Sequence, residues 1–150
     1  MNDAHWMAQA LALAHKAEAD GEVPVGAVLV KDNQLIAEGW NQPITSHDAT
    51  SHAEIMAMRA AGKKLNNYRL IDTTMYVTLE PCSMCVGAMI HARVAKVVYG
   101  APEPRTGALG GAFDLLAANQ HNHFFEVEAG VLAEESKTLL QAFFRSRRKK

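Results

Sequence analysis

The chain contains two cysteines, Cys82 and Cys85, and both lie in the stretch LEPCSMC. Side chains at positions i and i+3 of a helix project to the same side, so the two sulfurs could bind one metal ion. A pair at this spacing is equally typical of a thiol–disulfide redox site. The cysteines alone therefore leave metal binding and redox chemistry open.

A histidine and a glutamate upstream favour the metal interpretation. His52 and Glu54 are two positions apart in the stretch SHAEIMAM. Zn²⁺ binds thiolate and imidazole, and catalytic zinc sites have three protein ligands and a fourth position for water. Glu54 would be a base beside that water, since metal-assisted hydrolysis needs a group that takes up and passes on a proton. His47 and His91 are the candidates for a fourth ligand that would close the site instead.

Glu54 also fits a purely structural role. Ser51 and Glu54 have the spacing of a capping box, in which the serine caps the helix and the glutamate reaches back to the serine N–H. A carboxylate beside a three-ligand zinc site favours the catalytic role over the capping role.

Helices and strands alternate along the chain. Apolar spacing predicts helices over 3–19, 50–62 (closed by Gly62), 82–93 and 132–148, and strands over 25–31, 35–40, 73–79, 94–100 and 125–130. A crossover helix at 112–118 would let the last strand lie parallel to its neighbour. This order predicts an α/β fold with three layers, α/β/α, around a mixed five-stranded sheet with helices on both faces.

The composition is that of a globular protein with one domain. The 150 residues are 49% hydrophobic and 21% charged, and the net charge of −1 excludes a global attraction to nucleic acid. No stretch has the length and apolarity of a membrane span, and the N-terminus lacks the features of a secretion signal, so we expect a cytoplasmic protein. We interpret residues 1–150 as a single domain with a basic C-terminal tail, FFRSRRKK, which is either a solvated end or a local phosphate-binding patch.

The combined motif His52-x-Glu54 and Pro81-Cys82-x-x-Cys85 resembles the signature of zinc-dependent nucleobase deaminases. Nearly the whole chain resembles the tRNA-specific adenosine deaminase family, through EVPVGAVLV, GWNQP, HDATSHAEIMAMR, NYRLIDTTMYVTLEPCSMC, GAMIHARVAKVVYG, TGALGG and FFRSRR. The resemblance implies a cytidine-deaminase-like fold and a homodimer with one Zn²⁺ per subunit. It also implies hydrolytic deamination of adenosine to inosine at the wobble position of a tRNA anticodon loop, by zinc-activated water with Glu54 as proton shuttle.

The resemblance assigns further roles residue by residue. Zinc would be bound by His52, Cys82 and Cys85, the target nucleoside by Asn41 and its base by Val28, and flanking RNA by Asn122, His123, Phe144 and Arg145. Three of these residues have a structural alternative: Asn41 could cap a turn, Val28 could be core, and Phe144 could pack. The chain departs from the family at Ala49, where proline is common, and at 102–105 (PEPR), where aspartate and lysine are more frequent. These departures concern contacts of loops with RNA and leave the zinc motif intact.

Three other functions compete with this one. A deaminase of the same fold could act on a free base or nucleoside, such as cytidine or guanine. A noncatalytic zinc-bearing RNA-binding subunit would have no use for Glu54 as a proton shuttle. A thiol–disulfide oxidoreductase would bind no metal and would have a cysteine of low pKa.

Overall fold

The computed structural model describes residues 1–148; Lys149 and Lys150, the end of the basic tail, lie outside the described residues. Its elements are α1 (Asp3–Ala19), β1 (Gly26–Lys31), β2 (Gln34–Trp40), α2 (Pro43–Ser46), α3 (Ala53–Leu65), β3 (Thr74–Leu79), α4 (Ser83–Ala92), β4 (Lys96–Ala101), β5 (Glu126–Glu128) and α5 (Ala133–Arg148). None of the described helices combines the length and the apolarity that a bilayer crossing requires.

The five strands form one sheet in the order β2-β1-β3-β4-β5. Strand β1 is antiparallel to both β2 and β3, whereas β3, β4 and β5 are parallel. This confirms the predicted mixed five-stranded sheet with its last two strands parallel.

Helices cover both faces of the sheet, because side chains alternate along each strand. One hydrophobic cluster joins α3 and α4 to Ala27, Leu29, Met75, Val77 and Val97. The other cluster joins α1 to the strand residues that point to the opposite face of the sheet, Val28, Val30, Tyr76 and Val98. The two clusters correspond to the predicted three layers, and Cys85 belongs to the first of them.

Helix α3 approaches the sheet closely at its first residue. A Cβ atom at Gly39 of β2 would overlap the carbonyl oxygen of Ala53 and the backbone nitrogen of Ala57. Glycine at position 39 therefore brings the start of α3, and with it His52 and Glu54, against the sheet.

Most boundaries differ from the sequence prediction by one to three residues, and two of the differences change an element. Helix α3 does not close at Gly62 but continues to Leu65, where Asn66 takes a left-handed conformation with φ of 53°. Asparagine tolerates this conformation, which commonly ends helices. The crossover helix expected at 112–118 is a single 3-10 turn, Leu115–Ala117, although the strand that follows is parallel as predicted.

Helix α2 was not predicted at all. Pro43 is its first residue, and the carboxylate of Glu22 accepts hydrogen bonds from the backbone N–H groups of Ile44 and Thr45. A distant carboxylate thus satisfies the exposed donors at the start of this short helix, a contact that local sequence spacing does not reveal.

Candidate metal centre and active site

Three potential metal ligands converge where two helices begin. His52 is the N-cap of α3, Cys82 is the N-cap of α4, and Cys85 lies in the first turn of α4. The Nδ1 atom of His52 is 3.6 Å from the Sγ atom of Cys82 and 3.6 Å from that of Cys85. All three ligand atoms lie within 4.8 Å of one another.

The spacing of these atoms fits a zinc ion. In a tetrahedral site with ordinary Zn–N and Zn–S bond lengths, a nitrogen and a sulfur ligand are about 3.6 Å apart. Within the described residues the ligand group consists of His52, Cys82 and Cys85, and neither His47 nor His91 belongs to it. A closed structural zinc site would need a fourth protein ligand, which the described residues do not supply. A set of three protein ligands is typical of catalytic zinc.

The surroundings favour thiolate at this position. The positive ends of α3 and α4 both point toward the ligand atoms, and such ends stabilise negative charge. The hydrogen bond with the Cys85 thiol lowers the pKa of Cys82 to about 4. The same hydrogen bond, with burial, raises the pKa of Cys85 above its ordinary value. The two sulfurs thus hold one proton between them, and a metal ion that binds both releases it.

Glu54 lies in the first turn of α3, two residues after His52, and its side chain is 4% exposed. Burial raises the pKa of Glu54 to about 7. A carboxyl group with a pKa near neutrality can both accept and donate a proton under ordinary conditions. The buried position of Glu54 beside the metal ligands therefore suits a proton shuttle.

The capping-box alternative for Glu54 is wrong. The N-cap of α3 is His52 rather than Ser51, and the side chain of His52 accepts no hydrogen bond from the first turn of the helix. The backbone N–H of Ser51 donates to the carbonyl of Asp48 at 3.1 Å, so it is not available to Glu54.

Asn41 supplies the cap instead. Its Oδ1 atom accepts a hydrogen bond of 2.8 Å from the backbone N–H of Ala53, the residue between His52 and Glu54. Its Nδ2 atom donates to the carbonyl of Val23 at 3.1 Å. Asn41 thus ties the end of β2 to the start of α3, the structural role that the sequence left open for it.

A cavity of about 1120 Å³ opens at the carboxyl end of β3, and its lining includes neither a zinc ligand nor Glu54. Leu79, which ends β3 three residues before Cys82, lies in its wall together with Val23. Loop residues 102–105 form another part of the wall, and α5 contributes Lys137, Phe144, Arg145, Arg147 and Arg148. Phe144 is 45% exposed, so the cavity combines an accessible aromatic ring with several cations.

The prediction that Val28 packs on the base is wrong. The Val28 side chain is completely buried in the cluster under α1, on the face of the sheet opposite to the cluster of Cys85. It has no surface to offer a ligand. Val23, which the sequence analysis missed, lies in the wall of the cavity. Nothing in the neighbouring sequence distinguishes Val23 from the apolar residues of β1 that follow it.

The structure does not bring Asn122 and His123 to the metal centre. Both residues precede β5, and His123 Nε2 forms a hydrogen bond of 2.7 Å with the carbonyl of Val94, which precedes β4. Cys82, in contrast, follows the carboxyl end of β3. His123 and Cys82 therefore lie at opposite ends of the parallel strands, about 20 Å apart for strands of this length.

Comparisons with known proteins agree with this site. The family described as cytidine and deoxycytidylate deaminase zinc-binding region matches residues 1–101. The tRNA-specific adenosine deaminase of Haemophilus influenzae is 52% identical over 147 residues, covering 97% of this chain and 85% of that protein. The protein of the same name from Bacillus subtilis is 47% identical over 148 residues, covering 99% and 92%.

Two solved structures share the fold. One comes from a study of A-to-I editing by tRNA:A34 deaminases at the wobble position of transfer RNA; it has a TM-score of 0.86 and 38% identity, covering 91% of this chain and 99% of that one. The guanine deaminase from Nitrosomonas europaea has a TM-score of 0.77 and 26% identity, covering 93% and 83%. With a zinc-binding ligand set, a matching family region and relatives that align over nearly its whole length, the chain belongs to the tRNA-specific adenosine deaminase family of zinc-dependent deaminases.

Proposed function

We propose that this chain converts adenosine to inosine by hydrolysis at the wobble position of a tRNA anticodon loop. The observation that carries the proposal is the three-ligand site with the buried carboxyl group of Glu54 beside it. The names of the relatives supply the nucleoside and the tRNA. We further propose that residues 1–150 form one deaminase domain and that it works in the cytoplasm, where thiols remain reduced.

The chemistry assigns one task to each side chain. His52, Cys82 and Cys85 would hold Zn²⁺, which would supply a Lewis acid that lowers the pKa of a water molecule toward neutrality. Glu54 accepts a proton from the water, whose oxygen bonds to C6 of adenine, and delivers that proton to N1. It then takes the second proton of the water oxygen to the amino group, the C6–N6 bond breaks, and ammonia and inosine are formed.

The experiment that tests this function compares substrates. Incubation of the zinc-loaded protein with total tRNA should produce inosine at the wobble position and nowhere else. Free adenosine, cytidine and guanine, assayed for ammonia under the same conditions, should react far more slowly. Deamination of a free base or nucleoside with no inosine in tRNA would support the alternative suggested by the guanine deaminase fold.

We propose that the cavity next to Leu79 receives the RNA, with Phe144 as a stacking surface and Arg145 and Arg148 as phosphate contacts. Single-stranded loops are recognised by aromatic stacking and by cations near phosphates. Arg147 has a different role, because it donates a hydrogen bond of 2.6 Å to the carbonyl of Gly21 and lies over the ring of Phe143. RNA contacts by Asn122 and His123 would require a part of the tRNA distant from the target nucleoside.

The double replacement Arg145→Gln/Arg148→Gln should weaken tRNA binding and its dependence on salt. Each lost phosphate contact lowers the slope of log K against log salt by about 0.7 for single strands. The measurement is a fluorescence titration with a labelled anticodon stem-loop at several salt concentrations. Lys64→Gln, an exposed change at the far end of α3, is the control and should leave the slope unchanged. An unaltered slope in the double variant would mean that these arginines are merely solvated.

We also propose that the protein is a homodimer, joined through the surface between α3 and α4. A groove of about 970 Å³ there is lined by Ile55, Ala88 and Tyr68, of which Tyr68 is 70% exposed. On the same two helices, Met56 and Met84 are partly exposed, whereas Met89 is core. Sedimentation velocity should give twice the chain mass of 16.3 kDa. A single species at the mass of one chain, at micromolar concentration, would refute the dimer.

A further inference from the structure

A buried carboxylate outside the proposed chemistry lies immediately before the metal-binding segment. Glu80 follows β3 and precedes Pro81 and Cys82, and its side chain is 3% exposed. Its Oε1 atom accepts a hydrogen bond of 2.9 Å from the backbone N–H of Glu103. Its Oε2 atom accepts bonds of 2.9 Å from Leu109 N–H and 2.8 Å from Gly111 N–H. Three backbone donors thus offset the cost of burying this charge.

The loop formed by residues 102–111 is shaped around this carboxylate. A Cβ atom at Gly107 or Gly111 would overlap the carboxyl group of Glu80 and the carbonyl oxygen of Glu103. Two glycines therefore allow the backbone to close over Glu80. Within this loop the prolines at 102 and 104 flank the donating N–H of Glu103 and offer no N–H of their own.

The same loop connects the metal-binding segment to the proposed RNA cavity. The backbone N–H of Ala108 donates to the carbonyl of Pro81 at 2.9 Å, one residue before Cys82. Residues 102–105, at the other end of the loop, line the same cavity as Phe144 and Arg145. Glu80 is thus placed to fix the distance between the cavity wall and the zinc ligands.

We propose that Glu80 is a positioning residue that holds loop 102–111 as a wall of the RNA-binding cavity. It sets the affinity for the tRNA loop, while the zinc ligands and Glu54 carry out the reaction. The inference rests on the proposed function, because it takes a tRNA loop as the occupant of the cavity. It extends that function by assigning substrate affinity to a residue that does not touch the substrate.

The test is Glu80→Gln, which keeps the size of the side chain. Glutamine has one acceptor oxygen, and its NH₂ group must face at least one of the three N–H donors. KM for an anticodon stem-loop, and its directly titrated Kd, should rise about tenfold with the loss of one or two such hydrogen bonds. kcat and zinc content should remain close to those of the unchanged protein.

Hydrogen exchange should accelerate at the amides of Glu103, Leu109 and Gly111. Glu38→Gln, at an exposed position of β2, is the matched control and should change none of these quantities.

Gly111→Ala provides a second, independent variant. It retains Glu80 but places a methyl group where the carboxylate lies, so it should reproduce the rise in KM and Kd with unchanged zinc content. Loss of zinc, a fall in kcat with unchanged KM, or faster exchange in both variants with unchanged Kd would overturn the proposal. If the unchanged protein made no inosine, the proposed function would fail. The Kd and the exchange rates would still decide the role of Glu80.

Discussion

Replacing Glu54 by glutamine is expected to reduce kcat by about 10²- to 10⁴-fold, the range that general acid–base groups contribute. The amide has the shape of the carboxyl group but cannot accept a proton from water or deliver one to adenine. Burial raises the pKa of Glu54 to about 7, so near neutral pH the native group can act in both directions. Zinc should remain bound at one ion per chain, because Glu54 is not among the three ligands.

The measurement is single-turnover formation of inosine in an anticodon stem-loop, with zinc determined by elemental analysis of the same sample. Glu38→Gln, the exposed change on β2, should retain the full rate. In zinc-free protein the Glu54→Gln variant should unfold at no lower temperature than the unchanged protein near pH 7. The reason is that a carboxyl group with a raised folded pKa lowers the free energy of unfolding as the pH rises from its unfolded pKa of 4.5 to its folded pKa of about 7. Near pH 7 most of this loss is present in the unchanged protein and absent from the variant. A near-normal rate would exclude Glu54 as the proton shuttle.

Replacing His52 by alanine is expected to abolish zinc binding and activity together. Nδ1 of His52 contacts both sulfurs at 3.6 Å, so its removal leaves two ligands that share one proton. The loss should also lower stability, since an ion present at a thousand times its Kd stabilises the folded state by about 4 kcal/mol. For a chain of this size that corresponds to a decrease in Tm of about 10 °C.

Elemental analysis, the inosine assay and thermal unfolding form the test, with a chelator added to each sample. Chelation should lower the Tm of the unchanged protein and should leave the variant as it is. His15→Ala, which removes an exposed histidine of α1, should keep zinc, activity and Tm. A protein that contained no zinc when purified, and whose Tm ignored the chelator, would instead favour the thiol–disulfide oxidoreductase.

Features encoded by local spacing could be predicted from the sequence. The alternation of helices and strands predicted the layers and the parallel strands, and the motif around His52 and Cys82 predicted ligands at two helix starts. The role of Val28 was assigned by resemblance and was wrong, whereas its position in an apolar strand correctly indicated core. Strand β1 is buried on both faces, so its apolar run does not reveal which face lies toward the metal site.

Features that depend on contacts between distant residues could not be predicted. Asn41 caps α3 across 12 positions, and this contact replaced the local capping box of Ser51 and Glu54. The partners of Glu80 lie 23 to 31 positions away, so nothing in its own surroundings indicated a buried carboxylate. The position of Val23 at the cavity likewise follows from the way that β3 and α5 meet, not from its neighbours in the chain.

The hydrogen bonds of Glu80 have a consequence for sequence variation on the RNA side. Backbone N–H groups, which every residue except proline provides, define the course of loop 102–111. The exposed side chains of Pro102 and Pro104 are therefore replaceable without shifting the chain, and the unusual PEPR segment is accommodated. The loop is also ordered in the protein without RNA. Binding of RNA therefore does not include the conformational entropy of ordering the loop, which is about 1–2 kcal/mol for each residue.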